Sequence, residues 1–498
     1  MTRRREFFRV DSVRRTYDRV QGKFTFNISY STAAKLTPRS LAVSEAFGLG
    51  ADEERTFPVL DVELKIGASD IVYVTGDSGS GKSVLLRAIK QDLGDEAIDV
   101  ADLQVEREKP LIETVGSTVE EGLELLSRVG LNDAFLFLRS FDQLSDGQKY
   151  RYRIAKLLET RAKFWLLDEF AATLDRDTAK VVAFNLQKIA RHEGKCVIAA
   201  TTHTDLFTDL NPSVHIHKRY GKEITVHYYP NEPTKECSLV PEMRVEEGTA
   251  ADWRSLAVFH YRSHRTPAPR RIFCLKRGDE LCGVIVYSYP APAAFGRRLV
   301  LPNMSMSQLN VKLSAISRVV VHPKYRTIGL GVKLVRETLH LVGTPYVEMS
   351  AVMAKYNPFA EKAGMKKVAL QPPNLEVRKV VGLLEELGFD CQLLSSGKYV
   401  VAKLAALSNG DLARLKQAFI RHKHPRFLKA FSFNMPYGTG DAYRKAVQQA
   451  DPSQLAHLIK ICGFLMQTKA YLFWKNPDYV YKQNCNIQKI EKQPLQSP

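Results

Sequence analysis

Apolar positions along the chain fall into runs with two different periods. Residues 71–75, Ile-Val-Tyr-Val-Thr, form a continuous β-rich run that predicts a short buried strand. A glycine-rich stretch, Gly76–Ser83, follows at once, and the apolar positions from Val84 to Ile89 then have helical character. A second continuous run, Phe164-Trp-Leu-Leu, ends in Asp168 and Glu169, the pattern of a buried parallel strand with acids at its C-terminal edge. Beyond Tyr229 the pattern changes through Pro230-Asn-Glu-Pro233, a predicted boundary. Helical spacing from Glu246 to Tyr261 precedes two strand-like runs, Arg271–Lys276 and Leu281–Tyr289, joined by a hairpin-like Arg-Gly-Asp-Glu. A further strand, Ala315 to His322, leads through a glycine-containing loop into a helix over Val332–Val342. From Ser408 helical signals dominate, with Leu412, Leu415 and Phe419 on one face. The expected organisation is an α/β domain over 1–235, a second α/β domain over 236–405 and a mainly helical region over 406–498.

Strand, glycine loop and helix in that order are the context in which a loop wraps phosphate. The backbone of Gly76, Asp77, Ser78, Gly79, Ser80 and Gly81 would turn N–H groups toward a β-phosphate at the positive end of the helix. Lys82 would reach the β- and γ-phosphates, and the Ser83 hydroxyl would sit on Mg²⁺. Asp168 could hold Mg²⁺ through water, and Glu169 could polarise the attacking water as a general base.

Between these elements lies Leu144-Ser-Asp-Gly-Gln148, and after them come Ala172-Thr-Leu-Asp175 and Ala199-Ala-Thr-Thr-His203. In this order the four elements resemble the ABC ATPase family over about residues 22 to 230. The resemblance implies ATP and Mg²⁺ as cofactors and a head-to-tail, ATP-dependent homodimer. Ser145, Gly147 and Gln148 would cap the γ-phosphate on the partner copy, Asp175 would belong to the D-loop, and His203 would sense the γ-phosphate. One set of motifs per chain means that two chains make two sites. Two departures stand out: the stretch from Ser83 to Leu144 is short for a transporter ATPase, and Glu113 stands where the family's glutamine loop is expected.

The later strand and Arg326-Thr-Ile-Gly-Leu-Gly331 resemble motif A of the GNAT acyltransferases, and Asn357-Pro-Phe-Ala-Glu-Lys-Ala-Gly-Met365 resembles another segment of that family. This likeness covers about residues 243 to 400. It implies an acyl-CoA, such as acetyl-CoA, held by the backbone from Val319 and Val321 through Arg326, Gly329 and Gly331. Tyr356 is then the candidate acid and Glu348 the candidate base, with His322 as another basic candidate. The whole chain resembles proteins that fuse an ABC ATPase to an acetyltransferase.

Composition narrows the partners. An apolar share of 45% with 25% charged residues is that of a globular chain. No apolar run reaches the length of a membrane helix, and the basic start lacks the apolar segment of a secretory signal. Seven cysteines without metal-site or paired spacing fit a reducing cytosol, with no disulfide and a cytoplasmic location expected. The net charge of +18 is uneven: residues 406–498 hold fourteen Lys/Arg against five Asp/Glu, half of the whole excess. Basic ends, with Tyr471, Phe473, Trp474, Tyr479 and Tyr481 interleaved among lysines, suit a nucleic acid partner through phosphate contact and base stacking. The leading expectation is an ABC-type ATPase coupled to acyl transfer on nucleic acid. The alternatives are a mechanical ATPase with a non-catalytic GNAT-like module, the ATPase subunit of a transporter, and acetylation of protein or small amines.

Overall fold

The computed structural model describes residues 8–32, 37–48, 56–131, 133–260, 268–351, 357–431, 440–466 and 468–479. Contacts divide the chain into two compact units, residues up to 286 with 318–338, and residues 287–317 with 339 onward.

The first unit begins with a three-stranded antiparallel sheet, β1 (Phe8–Asp18), β2 (Lys23–Thr32) and β3 (Thr56–Lys65). Its inward positions alternate with polar outward ones, so Phe24, Phe26, Ile28, Leu60 and Leu64 are buried. A six-stranded sheet follows, built from β4 (Ile71–Thr75), β5 (Ala97–Asp99), β6 (Phe164–Leu167), β7 (Cys196–Ala200), β8 (Val214–Lys218) and β9 (Ile224–Tyr228). The order is β5-β6-β7-β4-β8-β9, parallel throughout except for the last pair. Parallel strands need cover on both faces, and this is why β4, β6 and β7 are buried at every position. On one face the helix Lys82–Leu93 and the three-stranded sheet supply Leu85, Ile89, Phe24 and Leu60. On the other the helices Asp146–Leu158 and Arg176–Glu193 supply Ile154, Leu157, Val182 and Leu186. The expected strand over 71–75, glycine loop over 76–83 and helix from Val84 to Ile89 are present, the helix running Lys82–Leu93, and so is the acid-tipped strand over 164–169.

A seven-stranded sheet comprises β10 (Arg244–Glu247), β11 (Pro269–Arg277), β12 (Glu280–Ser288), β13 (Leu313–Val321), β14 (Tyr346–Ala351), β15 (Lys366–Gln371) and β16 (Lys469–Lys475). Its order is β10-β11-β12-β13-β14-β16-β15. β10, β11, most of β12 and the C-terminal end of β13 belong to the first unit, and the rest to the second. β13 and β14 pair in parallel, whereas β14–β16 and β16–β15 are antiparallel. The expected hairpin over 271–289 is formed by β11 and β12.

Two readings of the C-terminal third need correction. Helical packing starts upstream of residue 406: Val377, Val380 and Leu384 share one core with Leu415, Phe419, Leu455 and Leu458. The region is also not helical to its end, because β16 returns to pair with β14 and β15. With that strand, Tyr471 and Trp474 become interior side chains, 1% and 9% exposed, and Phe473 stacks on Tyr346. They are core residues and not an exposed stacking platform. Tyr356, Tyr481 and the three arginines at 3–5 lie outside the described residues.

Candidate functional site

The glycine loop is shaped by close approach. Gly76, Gly79 and Gly81 have φ of 144°, 77° and 102°, conformations that side chains rarely adopt. A Cβ on Gly76 would lie 2.0 Å from the Lys218 carbonyl oxygen, and one on Gly81 would lie 2.8 Å from Val59 Cγ1. Gly81 caps the helix Lys82–Leu93, so the N-terminal amides of a three-turn helix open onto the loop. Lys82 is buried, and its ammonium donates to the Gly76 and Asp77 carbonyls at 2.8 and 2.7 Å, positions that a phosphate would take over. Burial lowers the Lys82 pKa, against the opposing pull of Asp168, Asp77 and Glu169. Ser80 is 3% exposed and its hydroxyl has no partner among the described residues. A backbone cradle, an inward cation and an orphaned hydroxyl together fit a polyphosphate. Ser83 follows on the first helical turn, half-buried.

Asp168 and Glu169 leave the C-terminal end of β6, the first half-buried and the second exposed. The Glu169 amide donates to Asp168 Oδ1 at 3.0 Å. Glu169 and Ala171 have φ of 51° and 55°, which costs about 1–2 kcal/mol for each non-glycine residue. The helix Arg176–Glu193 then starts under the cap of Asp175, which accepts from the Thr178 amide at 3.1 Å. Ser145 heads the helix Asp146–Leu158 in a reciprocal cap with Gln148, and it is exposed. Gly147 packs on the helix after Asp175, since a Cβ there would meet Thr178 Cγ2 at 3.0 Å. His203 is half-buried beyond β7; its amide donates to Thr201 Oγ1 at 3.2 Å and its carbonyl accepts from the Tyr73 hydroxyl. The sequence-predicted phosphate residues therefore lie at the C-terminal ends of β4, β6 and β7, with Ser145 and Asp175 at two adjacent helix starts.

Two residues near the loop carry no sequence signal. Lys218 is fully buried at the end of β8, its ammonium spent on the Arg219 and Gly221 carbonyls, and its own carbonyl packs on Gly76. Tyr220, in the β8–β9 turn, donates to the Ser78 carbonyl at 2.8 Å. They act from 142 residues downstream in the case of Tyr220, so no local motif could reveal them.

Beside the loop, His215 and His217 share Thr75 Oγ1 at 2.9 and 3.0 Å, and His227 lies opposite His215 on β9. His215 also stacks on Tyr73. Burial depresses the His215 pKa from its usual 6.5, and His217 and His227 add to it. In the window below 6.5 the unfolded chain binds a proton that the folded chain refuses, so stability falls as pH falls through it. Thermal unfolding at about pH 7.5 and about pH 5.5 is expected to show a drop in melting temperature that His215→Gln reduces. An identical drop in both proteins would remove His215 from the explanation.

In the seven-stranded sheet Glu348 is buried on β14. Arg297 reaches both its oxygens at 2.6 and 2.9 Å, and the Tyr471 hydroxyl donates to it at 2.8 Å. Both carboxylate oxygens are thus engaged by these two neighbours, which leaves the group an ion-pair partner in the interior and not a free base. Burial lowers the pKa of His322, which stands at the end of β13. Val319 and Val321 lie on β13, Gly329 has φ of 91° with open space around it, and Gly331 lies in the helix Leu330–Thr338. Arg326 is buried, 3.7 Å from Asp133 across a partly satisfied ion pair.

Comparison with known proteins matches residues 59–172 to the family described as ABC transporter. The methionine import ATP-binding protein of Rhizobium etli is 29% identical over 214 residues, 35% of this chain and 59% of that protein's length. The cytochrome c biogenesis ATP-binding export protein of Gluconobacter oxydans is 32% identical over 166 residues, 30% of this chain and 77% of that protein. A dimeric structure of a bacterial ABC transporter cassette aligns with 20% identity and a TM-score of 0.30, covering 36% of this chain and 93% of that one. These matches concern the ATPase half; a fused acyltransferase and a nucleic acid partner receive no support from them. Among the described residues no helix is long and apolar enough to cross a membrane. By its glycine loop, its acid-tipped strand and its likeness to these ATP-binding proteins, the chain belongs to the ABC transporter family of ATPases.

Proposed function

We propose that the chain hydrolyses ATP as a head-to-tail pair of copies, and that closure of the pair drives transport through a separate membrane subunit. The observation that carries the pairing is the presence on one chain of two anion-binding ends. One is the loop Gly76–Ser83 with its helix, and the other is the exposed, capped helix start at Ser145. In this reading Lys82 and the loop amides hold the phosphates, Ser83 and Asp168 hold Mg²⁺, and Glu169 takes the proton of the attacking water. Ser145, Gly147, Gln148 and Asp175 face the partner copy's nucleotide, and His203 reports on its own. The Mg²⁺ supplies charge neutralisation of the phosphates when bound. Transport takes precedence over the expectation of acyl transfer on nucleic acid, because the similar proteins named above are import and export ATP-binding proteins. Burial of Tyr471 and Trp474 also removes an argument for base stacking.

A second reading is favoured by the loop that follows β13. Gly329, with φ of 91° and open space around it at the start of the helix Leu330–Thr338, supports an acyl-CoA site of the kind the sequence suggests.

The test is the rate of Mg-ATP hydrolysis against protein concentration. A pair of copies predicts specific activity that rises with protein concentration, the rate approaching second order at low concentration, whereas a strictly proportional rate would sink the pairing. Copurification of a membrane-spanning protein that raises turnover supports the transport reading. Label passing from acetyl-CoA to DNA, tRNA or protein supports the second reading instead.

A further inference from the structure

Glu169 sits on a strained segment, and one of that segment's two anchors comes from outside the ATPase half. At its start, the Phe170 amide donates to the Ala200 carbonyl at 2.7 Å, which fixes it to β7. At its end is the helix start at Asp175 and Asp177. Lys324, in the turn after β13, places its ammonium 2.8 Å from Asp177 Oδ2 and 3.6 Å from Asp175 Oδ1. Arg277, at the end of β11, reaches the same Asp177 oxygen at 2.9 Å, and its other face is held by Glu242 at 2.5 Å. Tyr325 donates to Glu280 at 2.7 Å and lies 3.4 Å from Asp177.

The turn carrying Lys324 is itself held from the ATPase side. Arg151, buried in the helix headed by Ser145, donates to the Pro323 and Lys324 carbonyls at 3.3 and 2.9 Å. Gly130 leaves the room this needs, since a Cβ there would lie 2.7 Å from the Arg151 guanidinium and 2.8 Å from Thr327 Cγ2. Thr327 is β-branched and has φ of 82°, a conformation that persists only where the surroundings over-determine it. Partial burial pushes the Asp177 carboxyl up, and hydrogen bonds from Lys324 and Arg277 outweigh it and hold the carboxyl below its usual value.

We propose that Lys324 and Arg277 are positioning residues for ATP hydrolysis: they pin the helix start at Asp175–Asp177 and thereby hold the strained segment that presents Glu169. The inference rests on the reading of Glu169 as the base. A positively strained backbone relaxes when one of its two anchors is released, and a general base displaced by even an ångström loses much of its effect. Both side chains are spent on the helix start at Asp175–Asp177, away from the loop Gly76–Ser83 assigned to the phosphates, so the effect belongs to turnover and not to affinity.

The experiment compares full-length wild type, Lys324→Ala, Lys324→Arg and Glu169→Gln for steady-state Mg-ATP hydrolysis, Mg-ADP affinity and melting temperature. The expected result is a fall of about tenfold or more in kcat for Lys324→Ala, with Mg-ADP affinity within about twofold of wild type. Lys324→Arg, which keeps a cation against Asp177, is expected to restore kcat to within about threefold. Unchanged turnover in Lys324→Ala overturns the inference alone. So does a loss in which turnover, ADP affinity and melting temperature fall together and arginine restores none of them. Hydrolysis by wild type that Glu169→Gln leaves intact overturns the assignment of the base, and this inference with it.

Discussion

Glu169→Gln is expected to lower the turnover number for Mg-ATP by roughly 10²–10³-fold while ATP still binds. Glutamine keeps the size and hydrogen-bonding outline of the side chain and removes only its capacity to accept a proton. Glu169 is exposed, so its charge is not holding a buried partner, and the substitution leaves the core under β6 untouched. The φ of 51° is as costly for glutamine as for glutamate, so backbone strain does not change between the two proteins. Asp168 remains to hold Mg²⁺ in the proposed scheme, and Lys82 and the loop amides remain to hold the phosphates. The variant should accumulate the ATP-bound pair, which sedimentation in the presence of Mg-ATP would show as a larger species. A turnover within about threefold of wild type would remove Glu169 from the role of base.

The second large effect is expected at Gly76. Alanine there must accept φ of 144° and place its Cβ 2.0 Å from a backbone oxygen, that of Lys218. Neither atom can move cheaply, because the Lys218 carbonyl belongs to β8, which pairs with β4 directly beside the loop. Gly194 is the natural control: it caps the helix Arg176–Glu193 at φ of 62°, with nothing near a new Cβ. Gly194→Ala is expected to cost about 1 kcal/mol, the ordinary penalty for a left-handed alanine. Gly76→Ala is expected to cost about 3 kcal/mol or more and to abolish ATP binding in whatever fraction remains folded. Chemical denaturation with ATP titration separates the two parts. Equal losses of stability in the two variants would mean that the loop relaxes around the added methyl.

Much of the ATP site was legible because its chemistry is local. A strand, a glycine loop and a helix start follow one another within Ile71–Leu93, and two carboxylates end a four-residue apolar strand at Leu167. Such elements are specified by neighbours in sequence, so a reader of the chain can find them. The three-stranded sheet β1–β3 is less legible: Phe24, Phe26 and Ile28 alternate with polar positions, but the pairing of β2 with a strand about thirty residues later is not written in the local pattern. Lys218, Tyr220, Arg277 and Lys324 were not recoverable, since each acts on a segment far away in sequence. An isolated lysine or arginine has the same appearance whether it brackets an aspartate or faces solvent. The reading of Tyr471 and Trp474 failed for a related reason: aromatic residues among lysines can be a sticky surface or an alternating strand. Only the pairing of β16 between β14 and β15 decides which.

The placement of β4 has a consequence for how the protein is made. The strand that delivers the phosphate loop lies between β7 and β8, whose residues are synthesised more than a hundred positions later. Until Val214–Lys218 has left the ribosome, β4 has at least one unpaired backbone edge, and Gly76 has no Lys218 carbonyl against which to set its turn. The nascent chain therefore carries its most recognisable motif long before it can hold a nucleotide, and an apolar strand edge stays open to other chains meanwhile. Assembly of the site is a late event in translation, and a ribosome stalled before β8 would release an aggregation-prone fragment and no working ATPase.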